Sequence, residues 1–173
     1  MNPLKSSRAM YLLGFLACAG LLAYAYYVQY VLYLEPCPLC ILQRLAFFVM
    51  GVFFLLAGLH NPGRIGFRVY AVLVTLAGLA GSGVAIRHLW LQSLPPDQVP
   101  TCGPGLEYML ANFPLTESIS MIFRGSGTCA TVDWTFLGLA MPAWTLICYV
   151  ILMGLALFWG FNRKPGELRV GVQ

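Results

Sequence analysis

Long apolar runs separated by short polar stretches dominate the pattern along the chain. Four of the runs are almost free of charge, and they cover roughly residues 10–34, 45–59, 69–86 and 134–161. A membrane-spanning helix needs about 20 apolar residues, and fewer suffice where flanking polar side chains reach back to the interface. The second run reaches that length if it starts at Ile41, and the third does so between Arg68 and Arg87. The pattern therefore predicts four transmembrane helices, at about 10–34, 41–60, 68–87 and 141–161.

The composition agrees with a membrane protein. Hydrophobic residues make up 60% of the 173 residues and charged residues only 9%, which is too apolar for an ordinary soluble domain. We predict a single all-α integral membrane domain over residues 1–173. Small residues four apart, such as Gly14 with Cys18 and Ala77 with Gly81, have the spacing that lets two helices pack closely.

The first apolar run has two interpretations, a signal peptide or a retained helix. Lys5 and Arg8 precede it, and Ala17-Cys18-Ala19 resembles the small-residue cleavage site of a signal peptide. However, the run continues for about 15 residues beyond Cys18, whereas the apolar region of a signal peptide has about 7–15 residues in all. The length favours a retained transmembrane helix.

The distribution of charge orients the predicted helices. Four spans put both termini on one side of the membrane, and seven of the ten cations fall on that side with a single acid, Glu167. Cytoplasmic segments of membrane proteins are enriched in Lys and Arg, so we predict that both termini are cytoplasmic. The segments at about 35–40 and 88–140 are then loops on the opposite side. Topology thus explains the net charge of +4, which does not indicate binding to nucleic acid.

Four of the six cysteines fall in the two predicted outer loops, where an oxidising compartment would let disulfides persist. They are Cys37 and Cys40 in the first loop and Cys102 and Cys129 in the second. The other two, Cys18 and Cys148, lie within the first and fourth apolar runs. A cysteine buried in a membrane behaves as a small hydrophobic residue, so we predict no chemical role for this pair.

The stretch Cys37-Pro38-Leu39-Cys40 is compatible with three kinds of site. A zinc site would need two closely spaced ligand pairs, but Cys102 and Cys129 are far apart and have no histidine near them in sequence. A structural disulfide between cysteines three apart closes almost no loop and would add little stability. Such a pair is better suited to thiol–disulfide exchange, in which one thiolate attacks and its neighbour resolves the mixed disulfide. We therefore predict a redox pair and no metal ion.

Two polar residues near the ends of predicted helices, Arg44 and His88, each have two possible roles. If Cys40 begins a helix, Arg44 lies one turn later on the same face. A cation beside a thiol at a helix N-terminus favours the thiolate, although Arg44 could equally be an anchor that reaches the membrane surface. His88, beside Arg87 at the outer end of the third span, is either an interfacial polar residue or a proton-handling group.

The second outer loop contains two short amphipathic patterns after a proline-rich beginning. Apolar residues recur at helical spacing in 106–113 and again in 115–123. Short helices of this kind either lie flat on the membrane surface or cap the end of the bundle. One cysteine pair at the membrane edge and another in this exposed loop suggest a relay, in which electrons arrive at the loop and leave to a lipophilic acceptor.

Several motifs together resemble the DsbB family of bacterial inner-membrane thiol oxidases. They are PCPLCILQR after the first span, RHLWLQ after the third, the loop with Cys102 and Cys129, and WTFLGLAMPAW before the fourth. The resemblance covers the chain from the first span to the fourth. It implies an antiparallel four-helix bundle in the inner membrane, with a short surface-lying helix in the second periplasmic loop.

The resemblance also implies a reaction and its partners. A member of this family oxidises DsbA, a periplasmic dithiol oxidase with the thioredoxin fold, and passes the electrons to ubiquinone, with menaquinone as the alternative. Because DsbA is itself a strong oxidant, the acceptor that reoxidises it must be stronger still, as a quinone is.

Carried over to this chain, the resemblance gives the four outer cysteines separate roles. Cys102 resembles the cysteine that forms the mixed disulfide with DsbA. Cys129, its disulfide partner, matches the cysteine that exchanges with Cys37. Cys40, the disulfide partner of Cys37, matches the thiolate that faces the quinone.

The resemblance also places Arg44 and His88 at the quinone ring. The segment between Cys102 and Cys129 varies within the family, so the resemblance leaves the choice of DsbA-like partner open.

Two other functions fit part of the pattern. A vitamin K epoxide reductase-like enzyme also places a C-x-x-C pair beside a quinone in a four-helix bundle. In that family the pair follows the loop cysteines, whereas here Cys37 and Cys40 precede Cys102 and Cys129. A non-enzymatic four-span adaptor would hold the same cysteines in permanent structural disulfides, and it would not reduce a quinone when a reduced thioredoxin-like protein is added.

Overall fold

The structure is a computed structural model that describes residues 7–95, 98, 112, 114, 129–130 and 135–162. Four helices and one short hairpin make up this part of the chain. The helices are α1 (Ser7–Tyr30), α2 (Pro38–His60), α3 (Arg64–Gln92) and α4 (Met141–Phe161), and the strands β1 (Thr135–Phe136) and β2 (Leu139–Ala140) precede α4. Cys102 and nearly all of the predicted surface helices at 106–113 and 115–123 lie outside the described residues.

The helices confirm the predicted fold class, an all-α membrane protein with four spans. Each of the four is long and apolar enough to cross a membrane. Large apolar side chains point outward along their length: Leu16 is 60% exposed, Phe48 58% and Phe158 60%. In water these faces would form extended apolar patches, whereas lipid tails are as apolar as the side chains themselves.

Three of the four helices have boundaries that differ from those predicted, and the differences matter for the outer end of the bundle. α1 ends at Tyr30, before the predicted residue 34, and the chain then turns through Tyr33 with a positive φ of 53°. α2 begins at Pro38, before the predicted residue 41. Proline suits the first helical position because its φ is already helical and it has no N–H to leave unpaired.

α3 extends beyond both ends of the predicted span at 68–87, from Arg64 to Gln92. The charge of Arg87 was taken as the boundary, but its guanidinium lies 4.2 Å from the ring centroid of Trp90 while the helix continues. The extra turn places His88 and Gln92 on the helix rather than in a loop.

Helices that follow one another in the chain pack against each other, whereas α1 and α4 touch very little. Small residues allow the close approaches. A Cβ added to Gly14 would lie 2.7 Å from the Phe54 ring, and one added to Gly81 would lie 2.7 Å from Cε1 of Tyr149. The predicted packing role of these two glycines is confirmed, and Gly81 gives Tyr149 its place against α3.

The core of the bundle lies toward the cytoplasmic half predicted from the charges, between all four helices. Tyr11 is fully buried there, and its hydroxyl lies 3.3 Å from the carbonyl oxygen of Phe67 and 3.4 Å from that of Ala156. Cys18 belongs to the same core and is 1% exposed, as expected for a small hydrophobic residue. Cys148 is only partly buried and packs against this core from α4.

A tight hairpin leads into α4, and the sequence did not predict it. Its strands pair Thr135 with Ala140 and Phe136 with Leu139. The two turn residues both have positive φ, 52° at Leu137 and 79° at Gly138, as a two-residue hairpin turn requires. Glycine fits this backbone without strain, whereas leucine does so rarely, which is why the turn was missed.

Candidate redox site

Cys37 and Cys40 lie at the N-terminus of α2 rather than in a free loop. Cys37 is the N-cap residue, with extended backbone angles, and its sulfur accepts a hydrogen bond from the backbone N–H of Cys40 at 3.4 Å. The unpaired N–H groups at a helix N-terminus carry partial positive charge. The cap therefore places both sulfurs where a thiolate is stabilised.

The two sulfurs are close but not bonded to each other. Sγ of Cys37 lies 3.2 Å from Sγ of Cys40, and both are free thiols in this structure. This separation is that of a hydrogen bond and exceeds the S–S bond length of about 2 Å, so the structure describes the reduced pair and the predicted Cys37–Cys40 disulfide stays a prediction. In the reduced pair, one thiol can donate to its neighbour and so stabilise the neighbour as the thiolate.

α3 brings His88 against this pair, and its predicted place at a quinone ring stays a prediction. Nε2 of His88 lies 3.8 Å from Sγ of Cys37, and Nδ1 lies 4.0 Å from Sγ of Cys40. The imidazole is 3% exposed, so bulk water does not compete for its hydrogen bonds. An imidazole within reach of both sulfurs can donate a hydrogen bond to a thiolate or take up a thiol proton.

The same three side chains are of the types that bind soft metal ions, and their ligand atoms all lie within 4.8 Å of one another. Two sulfurs bound to one zinc ion at about 2.3 Å would lie about 3.7 Å apart in a tetrahedral site. The observed separation of 3.2 Å between Cys37 and Cys40 is shorter and fits a hydrogen-bonded dithiol better. The absence of a metal stays a prediction.

Cys129 comes to the same end of the bundle although it is far away in sequence. It is fully buried and shares an apolar cluster with Cys37, Leu39 and Leu91. The imidazole of His88 also donates a hydrogen bond to the backbone of Cys129. Three of the four predicted redox cysteines are thus gathered around one imidazole, while the fourth, Cys102, lies outside the described residues.

Arg44 lies one turn from Cys40, but its side chain is held by α1. Its guanidinium donates a hydrogen bond to Oε1 of Gln29 and another, 3.0 Å long, to the carbonyl oxygen of Ala25. It also lies 5.3 Å from the ring centroid of Tyr26. The sequence offered two interpretations of Arg44, a cation directed at the thiolate or a membrane-surface anchor. Neither interpretation included the bridge that Arg44 forms between α2 and α1.

Sequence reasoning also missed Gln43, which is 4% exposed inside the membrane bundle. Its side chain contacts His88 on α3 and Thr145 on α4, and its backbone carbonyl accepts a 2.6 Å hydrogen bond from the Tyr149 hydroxyl. A buried amide must have its hydrogen bonds satisfied, so an uncharged polar residue within an apolar run was the available signal.

A cavity of about 400 Å³ adjoins the dithiol and is lined by residues of all four helices. α1 contributes mainly apolar side chains such as Leu21 and Val28, and α4 contributes Thr145 and Cys148. Since α1 and α4 make few contacts with each other, the cavity occupies the gap between them. Its polar lining consists mainly of Glu35, Cys37, Cys40, Gln43, Arg44, His88, Gln92 and Thr145.

One of these polar groups has an unmet hydrogen bond. Oε1 of Gln92 is buried and has no hydrogen-bond partner among the residues that the structure describes. Gln92 lies one helical turn beyond His88, so both side chains face the cavity. Buried polar atoms are rarely left unpaired, and this one marks a place where a polar group of a bound molecule would fit.

Comparison with known proteins gives a consistent result over almost the whole chain. The family model described as "Disulfide bond formation protein DsbB" matches residues 7–159. A protein of Nitrosococcus oceani named "Disulfide bond formation protein B" is 54% identical over 161 residues, which cover 93% of this chain and 95% of that protein.

Two further proteins with the same name show similar identity. The one from Hahella chejuensis is 54% identical over 162 residues, which cover 92% of this chain and 96% of that protein. The one from Xanthomonas axonopodis pv. citri is 50% identical over 170 residues, which cover 97% of this chain and 99% of that protein.

Proposed function

This chain belongs to the DsbB family of disulfide bond formation proteins, and on that premise we propose that it is a thiol:quinone oxidoreductase. It takes two electrons from the dithiol of a periplasmic, DsbA-like protein with the thioredoxin fold. It passes them to a quinone dissolved in the bacterial inner membrane. The observation that carries this proposal is a dithiol held at a helix N-terminus, beside an imidazole, at the edge of a cavity between membrane helices.

The cavity fits the ring of a quinone. Its volume of about 400 Å³ lies in the range of small-molecule sites, and its walls are mostly apolar with a few polar groups. Gln92 and Arg44 both line the cavity. The unpaired Oε1 of Gln92 can accept from a quinol hydroxyl, and N–H groups of Arg44 that do not bond Gln29 or Ala25 can donate to a quinone oxygen. A quinone bound there accepts two electrons and two protons and becomes a quinol. Ubiquinone is the proposed acceptor, and menaquinone is the alternative.

Within the dithiol, the two sulfurs have different tasks. Cys40 lines the cavity, and the thiol of Cys37 can donate a hydrogen bond that stabilises Cys40 as the thiolate. Cys37 lines the cavity as well, and it is the match to the family that makes Cys40 the sulfur that faces the acceptor. When Cys37 closes the disulfide onto Cys40, two electrons and two protons pass to the quinone, while the imidazole of His88, 3.8 Å from Sγ of Cys37, can donate a hydrogen bond to a thiolate.

The second cysteine pair connects the dithiol to the partner protein. We place a disulfide between Cys102 and Cys129 in the oxidised resting enzyme, and a thiolate of the partner attacks Cys102 and releases Cys129. The Cys129 thiolate then attacks Cys37 of the Cys37–Cys40 disulfide and releases Cys40 as the thiolate. The burial of Cys129 beside Cys37 supports this step, since exchange requires the two sulfurs to meet.

This route also requires an orientation in the membrane. The dithiol end of the bundle faces the periplasm, where the partner is found, and both termini lie in the cytoplasm. The lopsided distribution of Lys and Arg supports that orientation.

Quinone reduction by the purified protein tests the proposed reaction. We expect loss of quinone absorbance when a reduced DsbA-like protein and a soluble ubiquinone analogue are added together, and none when either is omitted. A Cys40→Ser variant should bind the partner yet leave the quinone oxidised. A protein with intact cysteines that never reduces the quinone would instead support the structural adaptor.

Trapping of the mixed disulfide tests the direction of the relay. In a Cys129→Ala variant, Cys102 has no neighbour to resolve its bond to the partner, so a covalent complex through Cys102 should accumulate. A complex that forms through Cys37 instead would mean that the loop pair is not the first to react.

A further inference from the structure

Gln43 forms hydrogen bonds to two neighbouring helices through its side chain and its backbone carbonyl. Its backbone carbonyl accepts from the Tyr149 hydroxyl at 2.6 Å, and its side-chain Oε1 lies 2.6 Å from the Thr145 hydroxyl. Its Nε2 lies 3.2 Å from Nδ1 of His88. α2, α3 and α4 are thus joined through one amide, directly below the redox cysteines.

The distances decide which way the amide points. The Thr145 hydroxyl also lies 2.9 Å from the carbonyl oxygen of Pro142, but it has a single proton to donate. A separation of 2.6 Å is typical of O–H···O hydrogen bonds and shorter than the usual N–H···O range of about 2.7–3.2 Å. The atom of Gln43 that faces Thr145 is therefore the oxygen, and the amide nitrogen faces His88.

This orientation determines the state of the imidazole. An amide nitrogen can only donate, so Nδ1 of His88 must accept and carries no proton. A neutral imidazole has one N–H group, and it must then be at Nε2, which lies 3.8 Å from Sγ of Cys37. From this geometry we propose that Gln43 is a positioning residue that holds neutral His88 in the Nε2–H tautomer.

The tautomer assigns the two sulfurs different neighbours. Cys37 lies beside two N–H groups, the backbone N–H of Cys40 and Nε2–H of His88, although the His88 ring also has a hydrogen bond to the backbone of Cys129. Cys40 lies 4.0 Å from Nδ1, whose lone pair is already engaged by Gln43. Neutral His88 thus serves Cys37 rather than Cys40. Any effect of the tautomer on disulfide exchange rests on the proposed function, whereas the assignment of the tautomer does not.

Nitrogen NMR can read the tautomer directly, because the chain contains only two histidines, His60 and His88. A His60→Gln variant labelled with ¹⁵N-histidine leaves one imidazole to observe. The spectrum is recorded on reduced protein in detergent micelles, above the titration of the ring, with neither quinone nor partner present. We expect Nε2–H to exceed Nδ1–H by about 10-fold, the upper range for one net hydrogen bond. A predominantly Nδ1–H imidazole would overturn the proposal.

Three variants in the same background separate positioning from mere packing. Gln43→Met keeps the length of the side chain but removes the donor, and the tautomer ratio should fall toward a mixture. Gln43→Glu replaces the donor with a carboxylate acceptor, so the proton should move to Nδ1. Gln92→Met, on the same cavity wall without a hydrogen bond to His88, should leave the ratio unchanged.

Each variant can contradict the proposal. An unaltered ratio in a folded Gln43→Met protein would show that the amide does not select the tautomer. If that variant does not fold, Gln43→Glu serves the same purpose, and a retained Nε2–H imidazole in it would refute the assignment. Because no electron acceptor takes part, a failure of the quinone assay would leave these results intact.

Discussion

Replacement of Arg44 by glutamine tests what this cation does at the cavity wall. Arg44 ties α2 to α1 through hydrogen bonds to Gln29 and Ala25, and α1 forms one wall of the cavity. A hydrogen bond to a charged group contributes about 1.5–3 kcal/mol. Glutamine is shorter and can recover at most one of the two bonds, so we expect a net loss of about 1.5 kcal/mol. If the whole loss weakens quinone binding, the KM for quinone rises about 10-fold, since about 1.4 kcal/mol is a factor of ten in a binding constant.

Steady-state quinone reduction, with the partner protein saturating and the quinone concentration varied, measures this effect. Arg44→Lys keeps the charge but lacks the planar fork that reaches both acceptors, so its KM should rise only about 3-fold, consistent with one weakened bond. Arg87→Gln is the matched control, because Arg87 packs on Trp90 away from the cavity lining. An unchanged KM and kcat in folded Arg44→Gln protein would refute the bridge and leave Arg44 as a membrane anchor.

Three further predictions concern packing, the remaining cysteines and topology. Gly81→Ala drives a methyl group into the Tyr149 ring and should lower the free energy of unfolding by about 1–3 kcal/mol, whereas Gly83→Ala, with nothing within 4 Å, should not lower it and can raise it by about 0.5–1 kcal/mol. The double variant Cys18→Ala, Cys148→Ala should keep its oxidase activity, and a loss would show that thiols outside the relay take part. Cysteines introduced at position 64 and at the C-terminus should react with an impermeant reagent only after the cells are permeabilised, and labelling of intact cells would reverse the orientation.

The membrane fold could be predicted because it depends on length and hydropathy, which are local properties of the chain. Four apolar runs gave four helices, and the predicted span at 141–161 coincides with α4. The errors lie where a single residue was taken as a boundary. α3 continues past Arg87 because a long cationic side chain can lie along an aromatic surface without ending the helix.

The arrangement of the site could be predicted only in part, because it depends on contacts between distant residues. The capping position of Cys37 was not predicted, although the proline that follows it and the apolar run beyond were the available signal. The hydrogen bonds of Gln43 have no such local signal, since they join α2 to α4 across more than one hundred residues. A local sequence pattern does not specify the angle at which α2 and α4 pack, and that angle brings Thr145 and Tyr149 to Gln43.

A single turnover in the absence of any partner tests the proposed reaction most directly. Reduced protein with Cys102→Ala and Cys129→Ala is mixed anaerobically with excess soluble quinone, and the quinone consumed is compared with the disulfide located by mass spectrometry. The proposed reaction predicts one quinone reduced per chain and one new bond, between Cys37 and Cys40. Quinone that remains oxidised beside an intact dithiol would contradict direct electron transfer from this pair.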